Sequence, residues 1–203
     1  MKIIFLNSPY QYLIYVYLQK YIWGHEKSVV FFEANLNLKI FSGDCISCSP
    51  IKRMTDAKDF SDFFEKYIAD LEPVDLYISE ILWVRNNIAY SILSQANKIK
   101  NLFFIDDGLI TRFSRTQPWD RYIKQLIKSL YYRLYVPYVF VPKKMLEHVR
   151  YAQGLYRIKN EEQQMSSKFI RDLPITSEFL SEVREAILTD SQKDELSNLK
   201  KNP

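Results

Sequence analysis

The residues best suited to chemistry in this chain are two adjacent carboxylates and a glycine, Asp106, Asp107 and Gly108. They directly follow residues 102–105, an apolar run with the length and composition of a strand buried on both faces. The carboxyl ends of such strands form the edge of an open α/β sheet where ligands bind, and a glycine there lets the backbone approach a ligand closely. Because buried carboxylates are costly to desolvate, this position favours a catalytic role.

A structural role competes with the chemical one, because an aspartate at the end of a strand can simply cap the turn that follows. No third carboxylate follows the pair at a spacing typical of metal sites, so we expect no bound metal. Asn7 and Ser8 follow the first predicted strand, and Ser79 and Glu80 follow the third. These residues would line the same edge, or would only cap the next helix.

Alternating strands and helices predict the fold that positions these residues. Strands are expected over residues 2–6, 28–32, 76–78, 102–105 and 136–141. Helices are expected over 9–23, 81–96, 119–134 and 177–188, and over a segment capped near Thr55 or Asp56 whose apolar positions run from 60 to 71. Residues 35–54 are expected to be irregular, with short strands as an option near 38–41. This order predicts an α/β fold, a Rossmann-like parallel sheet flanked by helices. We expect one domain over residues 1–175, then a helix and linker over 176–203. No G-x-G-x-x-G follows the first strand, which disfavours dinucleotide binding.

The composition is that of a globular protein, with 47% hydrophobic residues and a mild net charge of +4. The 28 basic residues are nearly matched by 24 acidic ones, so we expect no nucleic-acid partner. Cys45 and Cys48 have C-x-x-C spacing, but there is no second cysteine pair, and both histidines lie far away in the sequence. Without a signal peptide or a membrane-spanning run, the expected location is the cytoplasm, with contact to the inner face of the membrane as an option.

The pattern of apolar and basic residues over 119–134 predicts a basic amphipathic helix. Such a helix can pack its apolar side on the core, or it can lie on an anionic bilayer. Arg112 and other basic residues soon after the two carboxylates are candidates for binding an acidic acceptor.

Three segments resemble the amino-terminal half of bacterial sialyltransferases that make lipooligosaccharide sialosides and polysialic acid capsules. The first segment, Met-Lys-Ile-Ile-Phe-Leu-Asn-Ser-Pro-Tyr-Gln-Tyr-Leu over residues 1–13, is similar to their first strand, turn and helix. The second, Asp-Leu-Tyr-Ile-Ser over 75–79, precedes a predicted helix and Phe-Phe-Ile-Asp-Asp-Gly over 103–108, which is similar to their acid-acid-glycine motif.

The resemblance implies one half of a GT-B glycosyltransferase, in which two Rossmann-like domains face each other across a cleft. It implies inverting transfer from CMP-sialic acid or a related nucleotide sugar to a glycan or glycolipid, with no further cofactor. Asp106 would be the general base that takes a proton from the acceptor hydroxyl, and Asp107 would orient the loop or bind substrate.

The chain departs from these families because it has no His-Pro motif: Glu26 follows His25, and Val149 follows His148. In the families, that histidine binds the CMP phosphate in the second domain. We therefore expect no turnover by this chain alone and, with one apolar face uncovered, self-association. The alternative function is a non-catalytic partner or scaffold in surface-polysaccharide synthesis.

Overall fold

The computed structural model describes residues 1–33, 44–79, 83–106, 119–137, 139, 152–158, 170–174 and 176–187. The strands are β1 (Lys2–Leu6), β2 (Ser28–Glu33), β3 (Asp44–Cys48), β4 (Val74–Ile78), β5 (Ile99–Ile105), β6 (Gly154–Ile158) and β7 (Ile170–Leu173). The helices are α1 (Pro9–Leu18), α2 (Met54–Ile68), α3 (Val84–Gln95), α4 (Trp119–Arg133) and α5 (Ser177–Ile187). A π-helical turn over Gln19–Trp23 extends α1, and Gly24 ends it at a positive φ of 60°.

All seven strands pair in parallel, in the spatial order β3-β2-β1-β4-β5-β6-β7. The predicted Rossmann-like α/β fold is therefore confirmed. The chain builds outward from β1 to one side, then returns to β4 and builds outward to the other side. The reversal lies between β1 and β4, where open α/β sheets commonly bind ligands at the carboxyl ends of their strands.

The two faces of the sheet carry separate cores. On one face α2 and α3 cover β1, β2, β4 and β5, and their apolar side chains form one buried cluster with Tyr132 of α4. On the other face, α1 and α5 pack on the alternate residues of the same strands. Phe179 and Val183 of α5 are buried there, whereas Leu180 is exposed. Coverage of both faces explains why residues 3–6, 76–78 and 102–105 of the central strands are continuously apolar.

Three parts of the sheet differ from the prediction. The stretch expected to be irregular contains β3, an edge strand bonded to β2 alone. The run 136–141 is not a strand where it is described, because the Val136 N–H donates to Tyr132 O at 2.9 Å and the Val139 N–H to Val136 O at 3.2 Å, which are turn contacts. The remaining strands are β6 and β7, which were not predicted because both are short and carry charged residues.

No helix in the described ranges is long and apolar enough to cross a bilayer. The division into residues 1–175 and 176–203 stays a prediction.

Candidate functional site

Polar side chains meet at the carboxyl ends of β1 and β4, beside the reversal in strand order. Asn7 follows β1 directly, and Ser79 follows β4. The Ser79 hydroxyl accepts hydrogen bonds from Nδ2 of Asn7 and from Nδ2 of Asn86, each at 3.2 Å. Ser79 and Asn86 are both buried. The predicted convergence of Asn7 and Ser79 is thus observed, and Asn86 of α3 is a neighbour that the sequence pattern did not indicate.

Ser8 has a capping role at this edge. Its side chain accepts a hydrogen bond from the Gln11 N–H at 3.3 Å, and Pro9 occupies the first helical position. The Gln11 side chain returns to accept from the Asn7 N–H at 2.6 Å. These bonds fix the direction in which α1 leaves β1, so the capping role of Ser8 is observed and its substrate-binding role stays a prediction.

Asp106 lies where the sequence placed it, directly after β5, and β5 is the neighbour of β4. Its N–H donates to Tyr156 O of β6 at 2.9 Å, which extends the sheet pairing by one residue. Asp106 is 1% exposed. A carboxylate this deeply buried needs nearby donors or positive charge to stay in the fold.

Tyr10, in the first turn of α1, supplies one such donor. Its hydroxyl hydrogen-bonds with the Asp106 carboxylate, and the Ile158 N–H hydrogen-bonds with the phenol oxygen. Burial, followed by the negative charge of Asp106, raises the pKa of Tyr10 to about 12. The phenol therefore remains a hydrogen-bond donor throughout the neutral range.

Arg157 of β6 supplies positive charge next to this pair. It forms an ion pair with Asp172 on β7 through Nε, and its Nη2 donates to Asp172 Oδ2 at 3.3 Å. Hydrogen bonding to Asp172 is the main factor that raises the pKa of Arg157, and the charges of Asp172, Asp106 and Tyr10 act in the same direction. Tyr10, Asp106, Arg157 and Asp172 thus form one polar group, in which Asp106 and Arg157 are buried, Tyr10 is half-buried and Asp172 is exposed. We call it the β5–β7 cluster.

The sequence pattern missed Arg157, Asp172 and Tyr10. A lone arginine between apolar residues in Gly-Leu-Tyr-Arg-Ile is a usable signal, because a buried guanidinium requires an acidic partner. That signal identifies no partner until β6 and β7 are known to be neighbours, with Arg157 opposite Asp172.

A second polar group, centred on Arg85, lies at the carboxyl ends of β2 and β3. Arg85 Nη1 donates to Glu33 Oε1 at 3.2 Å, and Nη2 donates to Ser49 O at 2.6 Å. Burial raises the pKa of the nearby Cys48 thiol, an effect that Arg85 opposes and Glu33 reinforces. This group fixes the start of α3 against the edge of the sheet.

Asp107, Gly108, Arg112 and Glu80 lie outside the described residues, so their assigned roles stay predictions.

Cys45 and Cys48 both belong to β3, with Cys45 exposed and Cys48 buried. Because Cys45 and Cys48 are three positions apart in an extended strand, their Cα atoms lie roughly 10 Å apart and their side chains point to opposite faces. That distance is too long for a disulfide, so the pair behaves as two separate thiols. Among the described residues, no group of three or more histidines, cysteines or carboxylates is arranged to hold a metal ion.

Two shallow depressions lie away from the candidate site. One, of about 400 Å³, is lined by the ends of α2 and α3, including Ile68, Gln95 and Lys98. The other, of about 410 Å³, is lined by Tyr90, Asn97 and neighbouring residues. Both lie at the amino ends of the strands, opposite Asp106.

No protein-family model matches the chain, and no curated protein matches it. A UDP-N-acetylglucosamine 2-epimerase from Rickettsia bellii is a solved structure of similar shape, with a TM-score of 0.45 and 9% sequence identity. The alignment covers 97% of this chain and 51% of the epimerase, so the chain spans about half the length of that protein.

Proposed function

We propose that this chain is the acceptor-side half of a sialyltransferase-like glycosyltransferase of bacterial lipopolysaccharide or capsule synthesis. Asp106 is the general base in this proposal. The observation that carries it is the position of Asp106, buried at the carboxyl end of a central strand beside the Tyr10 hydroxyl. Asn7 and Ser79 at the neighbouring strand ends, with Asn86 of α3, offer the amide and hydroxyl groups that suit a sugar.

The proposed reaction has one displacement step. The Asp106 carboxylate takes the proton of an acceptor hydroxyl while that oxygen attacks the anomeric carbon of the donor sugar. The new glycosidic C–O bond forms as the bond to the CMP phosphate breaks, and CMP leaves with the bonding electrons. The configuration at the anomeric carbon inverts. Binding of the CMP-sugar is assigned to a second domain or partner chain, in line with the missing His-Pro motif.

Transfer of labelled sialic acid from CMP-sialic acid to a glycan acceptor tests this assignment, using the full natural protein with its nucleotide-binding partner. The Asp106→Asn variant should transfer about 10²–10⁴-fold more slowly, which is the usual contribution of a general base. Asp62→Asn is the matched control, because it makes the same change at an exposed position on α2 and should transfer at the wild-type rate.

Wild-type transfer by Asp106→Asn would overturn the assignment of the base. Absence of transfer from CMP-sugars by the complete wild-type protein would overturn the reaction itself. Urea unfolding of both variants separates a chemical defect from a folding defect, because Asp106 also contributes to the β5–β7 cluster.

A second candidate is a non-catalytic partner or scaffold in the same kind of pathway. The observation that favours it is the set of apolar side chains that α4 leaves exposed, which suits a docking element. In that case Asp106→Asn would lower the free energy of unfolding and leave transfer by the partner enzyme unchanged.

A further inference from the structure

Helix α4 presents its apolar side to solvent. Ile127 is 62% exposed, Leu130 is 50% exposed, and Leu134, just after the helix, is 77% exposed. Ile123 belongs to the same row, since residues at i, i+4, i+7 and i+11 share one side of a helix. The expectation that this helix packs its apolar side on the core is therefore wrong for Ile123, Ile127 and Leu130.

The side of α4 that faces the protein is narrow. Ser129 and Tyr132 are its buried residues among those whose side chains are described. Burial, the neighbouring Tyr131 and the charge of Asp56 raise the pKa of Tyr132. Asp56 lies at the start of α2, so the end of α4 is close to the carboxyl edge of the sheet.

Positive charge borders the exposed apolar row. At 100° per residue, Lys124 projects beside one flank of the row and Arg133 beside the other, and Lys128 lies beyond Lys124, farther from the row. All three are exposed. Asp120 is the one acidic residue in the sequence of the helix. Tyr131 and Tyr135 are also exposed, and tyrosine is a residue type enriched at membrane–water interfaces.

We propose that α4, with the two residues that follow it, binds the surface of an anionic lipid bilayer. Ile123, Ile127, Leu130 and Leu134 would enter the boundary between headgroups and acyl chains, while Lys124, Lys128 and Arg133 remain with the lipid phosphates. Lysine stems can lie along the apolar surface and keep the ammonium group among the headgroups. This proposal is independent of the proposed enzymatic function.

Charge complementarity favours a bilayer over a second copy of the chain. In a two-fold dimer the same patch meets itself, so the basic borders of the two copies would approach one another. Like charges in such an interface oppose association. An anionic lipid surface instead attracts every basic side chain along the border, each contributing about 1 kcal/mol near the membrane.

Vesicle flotation of the full protein tests the proposal. Phosphatidylcholine vesicles are compared with vesicles that also contain phosphatidylglycerol, at low and high salt. We expect binding to the anionic vesicles, several-fold weaker binding at high salt, and little binding to phosphatidylcholine alone. Equal binding to both vesicle types, or no binding to either, would overturn the proposal.

Two variants locate the contact. Ile127→Glu should lower vesicle binding at least tenfold, and Lys124→Glu combined with Lys128→Glu should lower it roughly tenfold or more. The matched controls are Leu180→Glu on α5 and Lys58→Glu combined with Lys66→Glu on α2, which make equivalent changes at other exposed positions and should bind like wild type.

Circular dichroism and urea unfolding of every variant verify that the fold is retained, which the exposure of the substituted residues leads us to expect. Wild-type binding by Ile127→Glu would overturn the assignment of α4. Sedimentation velocity in the absence of lipid tests whether a second copy covers α4 instead: a wild-type dimer that Ile127→Glu converts to a monomer would identify that copy and overturn the bilayer proposal.

Discussion

Helices α2 and α4 have the same length and the same type of amphipathic pattern, yet they use it in opposite ways. α2 buries Phe60, Phe64 and Ile68 against the sheet, and the Phe64 ring lies 5.8 Å from Phe5 and 5.4 Å from Phe31. α4 turns its apolar row outward. The face of the sheet on which both lie is already covered by α2 and α3. An amphipathic pattern thus predicts a helix with one apolar side, but the neighbours decide what that side contacts.

The largest expected effect is the loss of the Phe64 ring. Phe64→Ala should lower the free energy of unfolding by about 3–5 kcal/mol, because it leaves a cavity between α2 and the sheet. Phe63→Ala, at the neighbouring and 42% exposed position, should lower it by roughly 1 kcal/mol, because its ring stacks on Tyr67 at the helix surface and its loss leaves no cavity in the core. Urea titration measures both values, and equal losses would contradict the burial pattern of α2.

Lowering the pH should have an intermediate effect on the free energy of unfolding, through the Asp56 cap at the start of α2. Asp56 accepts hydrogen bonds from the N–H groups of Lys52 at 2.9 Å and Arg53 at 2.8 Å. Both bonds lower the pKa of Asp56 in the folded protein, and the bond from the Arg53 N–H has the larger effect. Since the carboxylate form is favoured by folding, its contribution is present above the unfolded pKa of about 4 and is lost as the pH falls through the folded value.

Asp56→Asn should therefore be less stable than wild type at neutral pH, and the difference should shrink as the pH is lowered below about 4. Urea midpoints measured for both proteins across this range give the comparison. A difference that stays constant with pH would show that the charge of Asp56 has no part in the cap.

The smallest expected effect is on α4. Ile127→Ala removes an exposed side chain, so the free energy of unfolding should change by no more than about 0.5 kcal/mol. Urea unfolding without lipid measures this change. A loss of about 2 kcal/mol or more would be typical of a buried site and would end the contrast between the two helices.

Much of the sheet was predictable from sequence, and the reasons are local. β1, β2, β4 and β5 each contain a run of three or more apolar residues next to polar ones, which is the pattern of strands buried on both faces. Their alternation with helices was enough to predict a parallel sheet. The position of Asp106 at a strand end followed from the same pattern.

The rest depends on contacts between distant segments. β6 and β7 contain Arg157 and Asp172, which suit a buried sheet only because the two strands are neighbours in register. The valine-rich run 136–141 has the composition of a strand but forms turn contacts where it is described. Tyr10 next to Asp106 could not be predicted either, because a phenol in the first turn of a helix gives no sign of the strand end that it reaches.

The position of β1 between β2 and β4 has a consequence for folding. Its partner on one side, β2, follows closely in the chain, but the pairing of Lys2 with Asp75 must wait until β3 and α2 have been passed. Loop-closure entropy delays such distant pairing, so an intermediate of β1, β2 and β3 would expose Ile3, Ile4 and Phe5 along an open edge. Unpaired apolar edges recruit other chains, and this stage is where aggregation competes most strongly with folding.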